Sequence, residues 1–594
     1  MLTLDVECYQ DYFLICFMGA DEKVASFEMF AGQPLDVENV SRIMKKYLTL
    51  SFNGLSYDLP MIEAALANRN CAELKEISDE IIKSNLPSWK VCQKFSINVP
   101  KDWQHIDIFD VVPGKASLKI YAGRMGWPKL QDLPIEPGAS VSPDQRKVLR
   151  EYCKNDLRVT RQLFETLRPQ VELRAKMGEQ YGGLDLRSKS DAQIAETVLK
   201  REVGNACGKT LRPPRDEDVG PVRYHDPKIV NFQSSQITEI FSRIINHKFE
   251  LAGNGSVKMP DWLKDTRIKI GDGEYQMGVG GLHSTEKRRS VYARDGYVLR
   301  DYDVASYYPS IILQQGIAPP TMGDDFTKVY QDIVSRRIDA KRSGDNVTAN
   351  TLKIVVNGSF GKLGSKYSAL YAPSLMIQTT ITGQLALLML IERFEEAGAT
   401  VVSANTDGVV VLAPKSMDDA LADVVWGWEL DTSYELERSD YRSLHSRDVN
   451  SYLAVTTDGR VKRKGAFAVG GLAKNPQFEI VSDAIAAHVS GEADFRHTIR
   501  SSRDLRKFVM LRKVTGGATW RGDLLGKAVR FYYSTGVGAD ETINYAKNSN
   551  KVPQSDGARP CLDLPANWPD DVNVERYVGV AMIAMKELGV DYDA

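Results

Sequence analysis

The sequence has no C-x-x-C pair: its seven cysteines, Cys8, Cys16, Cys71, Cys92, Cys153, Cys207 and Cys561, are odd in number and scattered. That usage argues against a disulfide framework or structural zinc and fits a reducing cytoplasm. An unbroken apolar run of about 18 residues is also missing, which speaks against a membrane span. The opening residues, MLTLDVECYQDYF, interrupt the apolar stretch that a signal peptide needs. Charge of one sign is lacking too. Lys+Arg 76 against Asp+Glu 78 leaves a formal net charge of −2, so no global basic field points to a polyanionic partner. There is no low-complexity tract and no repeat at a period of roughly 20–50 residues. What remains is ordinary globular composition, 594 residues with 43% hydrophobic and 26% charged, enough chain for about four domain-sized units.

Local patterns carry more. LTLDVE alternates apolar with polar residues, and DYFLICFMG reads as its hairpin partner. Strand and helix signals then alternate to about residue 190, which predicts an α/β domain with a mixed sheet. Pro213, Pro214, Pro221 and Pro227 mark a connector. Beyond it, GYVLRDYDVAS reads as a strand. TKVYQDIVSRRIDAKR and TANTLKIVVNGSFGKL form a predicted antiparallel helix pair about the turn SGDN. A long apolar helix, ITGQLALLMLIERFEEAG, precedes two β-rich runs joined by NTDG. The last hundred or so residues are expected to be mostly helical and locally basic.

Two clusters of acids stand out. Asp5 and Glu7, at i and i+2 of one strand, point to the same face. Burying both is costly without a cation between them, and hard oxygen ligands suit magnesium. D-x-E alone equally describes a polar edge strand. FNGLSYDLPMI adds Asn53, Tyr57 and Asp58, and EYCKNDLRV adds Tyr152 and Asp156 one helical turn apart. In this order and at these separations the segments resemble the three exonuclease motifs of 3′–5′ proofreading domains, which have a ribonuclease H-like fold. HIDIFDVVPGKASLKIYAGRMGW is similar to the same domains of family B DNA polymerases. The resemblance implies that Asp5, Glu7, Asp58 and Asp156 hold two metal ions, that Tyr152 orients the attacking water and that Asn53 contacts DNA.

The second cluster lies in GYVLRDYDVASYYPSIIL, where Asp303 ends a strand before Ser306, Tyr307, Tyr308 and Pro309. D-x-x-S-x-Y-P-S resembles palm motif A of family B (polymerase α-type) DNA polymerases. It implies that Asp303 binds both catalytic metals and that Tyr308 occupies the space of a ribose 2′-hydroxyl. Asp301 is one pleat away on the same face and is taken as structural. In TLKIVVNGSFGKLGSKYS, Lys353, Asn357, Phe360 and Gly361 share one helical face, as in any amphipathic helix. The string is similar to the fingers motif B, with Gly358 for a serine and Phe360 for a tyrosine. Lys353 then supplies charge to the nucleotide phosphates, with Asn357 beside it. Arg337 and Lys341 stand four apart and repel unless an anion or solvent separates them; by resemblance they bind phosphate. NTDG resembles motif C, with Asn405 for its first aspartate, Gly408 for the following serine, and Asp407 retained as the principal ligand. Asn405 can still offer a carbonyl oxygen, but the lost charge alters metal binding.

VNSYLAVTTDGRVKRKGAFA resembles the region that touches the primer terminus, with Tyr452 and Lys464 as matches. RSSRDLRKFVMLRK, including Arg506 and Lys507, is basic enough for sequence-independent phosphate contact. GVGGLHSTE loosely resembles a glycine-rich loop that links the two activities in some phage polymerases.

The chain is therefore identified from sequence with the compact, bacteriophage-like family B polymerases that carry a 3′–5′ proofreading exonuclease. The implied fold is α/β and α+β multidomain: a ribonuclease H-like exonuclease domain followed by a right-hand polymerase. Its expected spans are 1–190 exonuclease, 191–270 connector, 271–325 palm, 326–372 fingers, 373–475 palm and 476–594 thumb. The family implies two Mg²⁺ per active site, with Mn²⁺ as the alternative. It also implies primer–template DNA and dNTPs as partners, with a processivity factor, helicase or single-strand-binding protein as candidate accessories. No membrane association, a monomer, and the cytoplasm of an infected bacterial host are expected. Only about 50 residues separate Asp303 from Lys353 and Asn357 from Asp407, so the insertions of protein-primed relatives are expected to be absent and priming to be by nucleic acid. Two rival readings are an exonuclease whose palm has weakened, motivated by Asn405, and a non-catalytic DNA-binding replication protein.

Overall fold

The computed structural model describes residues 1–592, the side chains of Asp216 and Asp218 excepted. The chain divides into two compact units. The first comprises residues 1–190, 470–480 and 502–577; the second comprises 191–469, 481–501 and 578 onward. The class is mixed α/β and multidomain.

The first unit is built on a five-stranded sheet of β1 (Leu2–Cys8), β2 (Tyr12–Met18), β3 (Val24–Phe30), β4 (Thr49–Ser51) and β5 (His105–Asp107), in the order β3-β2-β1-β4-β5. β1, β2 and β3 are antiparallel neighbours, while β4 runs parallel to both β1 and β5. Every residue of β2 is buried, because the strand is interior to the sheet and covered on both faces. Three helices matter for the site: α1 (Asp58–Leu66), α2 (Ser88–Lys94) and α3 (Pro143–Gln180). α3 starts sharply: Ser142 and Gln145 form a reciprocal capping box, with proline at the first turn. Its buried stripe, Leu149, Tyr152, Cys153, Asp156, Leu157 and Thr160, follows helical periodicity and lies against the sheet.

The C-terminal stretch corrects the sequence reading. Residues 510–533 are not helical but form a long antiparallel hairpin, Met510–Trp520 with Asp523–Tyr533. Its two-residue loop, Arg521 (φ 51°) and Gly522 (φ 91°), has the paired positive φ that matches strand twist. This hairpin belongs to the first unit. Arg530, fully buried, donates to the carbonyls of Trp127 (2.8 Å), Pro128 (3.0 Å), Cys561 (2.8 Å) and Leu562 (3.1 Å). The span 476–594, whose last two residues lie outside the described ones, is thus divided between the units rather than forming one thumb.

The second unit begins with α4 (Asp191–Cys207), where a connector was expected. Ile194, Ala195, Val198, Leu199 and Val203 make it an amphipathic helix, and it packs against the helix pair described next. Its central sheet contains β6 (Tyr297–Val304), β7 (Thr400–Asn405), β8 (Gly408–Pro414), β9 (Leu436–Asp448), β10 (Ser451–Thr456) and β11 (Val461–Arg463). The order is β7-β8-β6-β9-β10-β11, and Lys287–Tyr292 pairs with β9. After β6 come α5 (Tyr307–Gln315), the expected helix pair α6 (Gly323–Ser343) and α7 (Asn346–Leu363), and α8 (Pro373–Glu396). α8 is long and apolar enough to cross a membrane by length and composition, yet 89% of its apolar window is buried inside the unit. It is the core helix on which the sheet rests.

Candidate functional site

In the first unit, the sheet and α3 bring the predicted acids together. Asp5, Glu7 and Asp156 each place a carboxylate oxygen within 4.8 Å of the others. Asp58, the first residue of α1, is 4% exposed and faces Asp5 but stands outside that trio. Burial is the main force on all four. It pushes the Asp5 carboxyl from 3.8 up to about 7, with Asp156 raising it further and Lys119 pulling it down. Glu7 and Asp58 are likewise driven well above the usual carboxylate range, first by burial and then by the Asp5 charge. Asp156 is raised less, because the Lys119 ammonium is paired with it.

Lys119 was not singled out from sequence. It also lies 4.3 Å from the centre of the Tyr152 ring, so this ammonium links the carboxylates to the tyrosine. Cys153 adds a thiol contact of 3.4 Å to Asp5 Oδ2. The loop before Asp58 is pinned by the buried Asp107 carboxylate, which accepts from the N–H groups of Asn53 (2.8 Å), Leu55 (3.0 Å) and Phe109 (2.9 Å). The turn is tight: Asn53 has φ 72°, and a Cβ on Gly54 would lie 1.8 Å from Ser51 Oγ. Hard oxygen donors converging on one point, each destabilised as an anion, fit a divalent cation.

In the second unit, a cavity of about 1090 Å³ gathers most of the residues of the other cluster. Asp303, next to last in β6, pairs across the sheet with Gly408. Asn405 pairs with Gly408 too, so the loop between β7 and β8 is Thr406-Asp407, and Val304 N–H donates to Asp407 O at 2.7 Å. Both aspartates therefore open on the same cavity, whose lining also includes Arg337, Lys341 and Lys353. Arg337 Nη1 donates to Ser306 Oγ at 3.0 Å. Tyr452 and Lys464 also line the cavity. Asn357 is exposed and does not line it. Nor does Tyr308, whose ring packs 4.5 Å from that of Phe360 and whose hydroxyl donates to Gly280 O at 2.7 Å. The glycine-rich segment 278–281 is thereby held against the site: a Cβ on Gly281 would meet Thr406 Oγ1 at 2.6 Å.

Two features were not legible. Asp301, taken as structural, is 4% exposed and accepts from Lys462 Nζ at 3.0 Å and from the Tyr441 hydroxyl. Lys462 also approaches Asp303 at 3.5 Å, so it is Lys462 rather than its neighbour Lys464 that touches the acids. Burial works against the ammonium, but Asp301, Tyr441 and Asp303 more than offset this and hold its pKa above the usual lysine range. Asp303 itself rises from 3.8 to about 6 through burial and Asp301, with Lys462 opposing. Gly408 permits this arrangement, since a Cβ there would sit 2.2 Å from Asp303 Oδ1.

Arg506 and Lys507 do not join this cavity. They fall in the first unit, and Arg506 is paired with Asp504 at 2.8 Å. The basic run divides between the units after Ser501.

No family model matches the chain. Part of its sequence is similar to DNA polymerases. It is 25% identical over 205 residues to DNA polymerase 1 of Aeropyrum pernix, covering 28% of this chain and 21% of the relative. It is 26% identical over 122 residues to DNA polymerase 1 of Saccharolobus solfataricus, covering 20% of this chain and 14% of the relative. The matches thus span about a fifth or less of these curated relatives. A solved structure, the family B DNA polymerase from the hyperthermophilic archaeon Pyrobaculum calidifontis, aligns with 99% of this chain and 78% of its own, at 14% identity and a TM-score of 0.41.

Proposed function

We propose that this chain synthesises DNA from dNTPs on a primer 3′-hydroxyl and removes nucleotides from a DNA 3′ end in a separate nuclease centre. The observation that carries the synthetic reading is the cavity of the second unit, where Asp303 and Asp407 share one space with Arg337, Lys341 and Lys353. The basic side chains would bind the triphosphate, and the cavity is large enough for a nucleotide. Asp303 and Asp407 would hold two Mg²⁺ ions, which when bound activate the attacking oxygen and neutralise charge at phosphorus. Asn405 would contribute through its side-chain carbonyl. Tyr308, braced by Phe360 and Gly280 outside the cavity lining, would reach the sugar edge only by the role that its motif resemblance implies.

For the nuclease, the support is the β3-β2-β1-β4-β5 sheet, a ribonuclease H-like order, with Asp5 and Glu7 on its central strand beside Asp156. There the four acids would hold two cations, and Lys119 and Tyr152 would orient the scissile phosphate and the attacking water.

Primer extension with Mg²⁺ or Mn²⁺, in an Asp5→Ala background that suppresses degradation, tests the synthetic reading. Asp303→Asn and Asp407→Asn are each expected to lower the rate at least 10²-fold; extension that survives both removes the palm assignment. Because Asn405 takes a charge out of the site, the second reading is a nuclease without synthesis. Hydrolysis of single strands with no extension in either metal would select it.

A further inference from the structure

In the second unit, the helix after β8, α9 (Asp418–Thr432), carries apolar side chains on both of its faces. The inner face is fixed: Leu421, Trp428 and Thr432 are buried, and Trp428 Nε1 donates to Ala386 O of α8 at 2.8 Å. Helical spacing places Asp419, Ala422, Asp423, Trp426 and Leu430 in one stripe on the opposite face, and all five are exposed. Trp426 is 66% exposed and Leu430 65%. A single exposed apolar residue is ordinary, but a tryptophan and a leucine four positions apart form a continuous patch. Turning the helix to hide them would bring Leu421 and Trp428 into solvent instead. The patch therefore exists whenever α9 is folded.

Charge decides what covers it. α9 holds the acids Asp418, Asp419, Asp423, Glu429 and Asp431 and no lysine, arginine or histidine. Three of them are engaged: Asp418 with Arg300 at 2.7 Å, Asp431 with Arg393, and Glu429 Oε1 with the Leu436 N–H at 2.7 Å. The two on the outer stripe, Asp419 and Asp423, have no ion-pair partner among the described residues. Asp419 lies in the first turn, where the helix dipole favours an acid, but Asp423 lies a turn further on and has no such support. These acids repel DNA phosphates, and a second copy of the same face would set aspartates against aspartates. We propose that this face docks a basic amphipathic helix of another protein, whose apolar side chains cover Trp426 and Leu430 while its lysines or arginines meet Asp419 and Asp423. None of the five stripe residues lines the cavity of the second unit, so the docking surface is independent of both catalytic readings.

The test uses the full chain and two fluorescent peptides of about four helical turns, one patterned with leucine and lysine, the other with glutamate in place of lysine. The lysine peptide should bind the unaltered protein and the glutamate peptide should not. Trp426→Ala should weaken the lysine peptide roughly tenfold or more, as loss of a central tryptophan anchor does, and Trp426→Phe should restore most of it. Asp419→Lys together with Asp423→Lys should exchange the preference, so that the glutamate peptide binds and the lysine peptide does not. Both positions are exposed, so this reversal reads charge without disturbing the buried face of α9. Unchanged affinity for the lysine peptide in Trp426→Ala or in the double variant overturns the proposal. Equal binding of the two peptides to the unaltered protein overturns it as well. Sedimentation tests the other occupant: a concentration-dependent dimer that Trp426→Ala abolishes assigns the face to a second copy instead. Primer extension should be the same in all these variants, and its loss in the double variant would place the stripe in the synthetic machinery and sink the docking surface.

Discussion

Replacing Asp5 by asparagine should stabilise the metal-free first unit at neutral pH while destroying its proposed nuclease activity. In the folded chain Asp5 is raised from 3.8 to about 7, so folding favours its protonated form. Below about pH 4 the carboxyl is neutral whether the chain is folded or not, and the fold keeps its full stability. As pH rises from about 4 to 7, the unfolded chain ionises freely while the folded one resists, and stability drains away across that window. The gap between 3.8 and about 7 corresponds to a ceiling of about 4 kcal/mol. Glu7, Asp58 and Asp156 share the strain, so one substitution should recover roughly 1–2 kcal/mol at pH 8. Asparagine has the same shape and can donate to the remaining carboxylates. Amide hydrogen exchange on β1 and α3, at pH 4.5 and pH 8 in EDTA, isolates this unit from the other. Added Mg²⁺ should protect the unaltered protein more than the variant. If Asp5→Asn is no more protected than the unaltered protein at pH 8, the acids are not held against their own repulsion and the argument fails.

The other expectations concern the second unit. Lys462→Met should reduce primer extension by about 10²-fold or more, because it strips the counter-charge from buried Asp301 and leaves Asp303 even harder to ionise. The extension rate should then rise with pH over a range displaced above that of the unaltered protein; a superimposable profile refutes the role. Gly408→Ala should also cost about 10²-fold, since a Cβ 2.2 Å from Asp303 Oδ1 must push that carboxylate aside by on the order of 1 Å. Its melting curve should change little, and normal extension would show that the carboxylate moves freely.

What could be read from sequence was what the chain arranges locally. D-x-E on an alternating strand, Tyr152 and Asp156 one helical turn apart, and the NTDG hairpin are all fixed by short-range periodicity. Lys119 and Lys462 escaped because each meets its carboxylate from a distant segment, 37 and 161 positions away. Nothing in KASLKIY or GRVKRKG says which cation turns inward. α4 was obscured by the prolines that follow it. The hairpin at 510–533 was obscured by its basic residues and by Gly516 and Gly517, which break the alternation where the pairing register shifts.

Arg530 gives the first unit an unusual history during synthesis. Its guanidinium holds carbonyls of residues 127 and 128, yet it emerges 350 residues after the sheet and α3 are complete (530 against 180). At ribosomal rates that delay is on the order of tens of seconds. Throughout it, the strands, the crowded acids and the apolar surface that receives the hairpin must wait without their closing partner while the second unit is made. A fragment ending at Ser190 would keep the proposed metal ligands and lose the strands that seal the unit around them. The order of translation therefore departs from a bead-on-a-string domain layout: the first unit is closed by segments made only after most of the second, and the second by the residues from 578 onward.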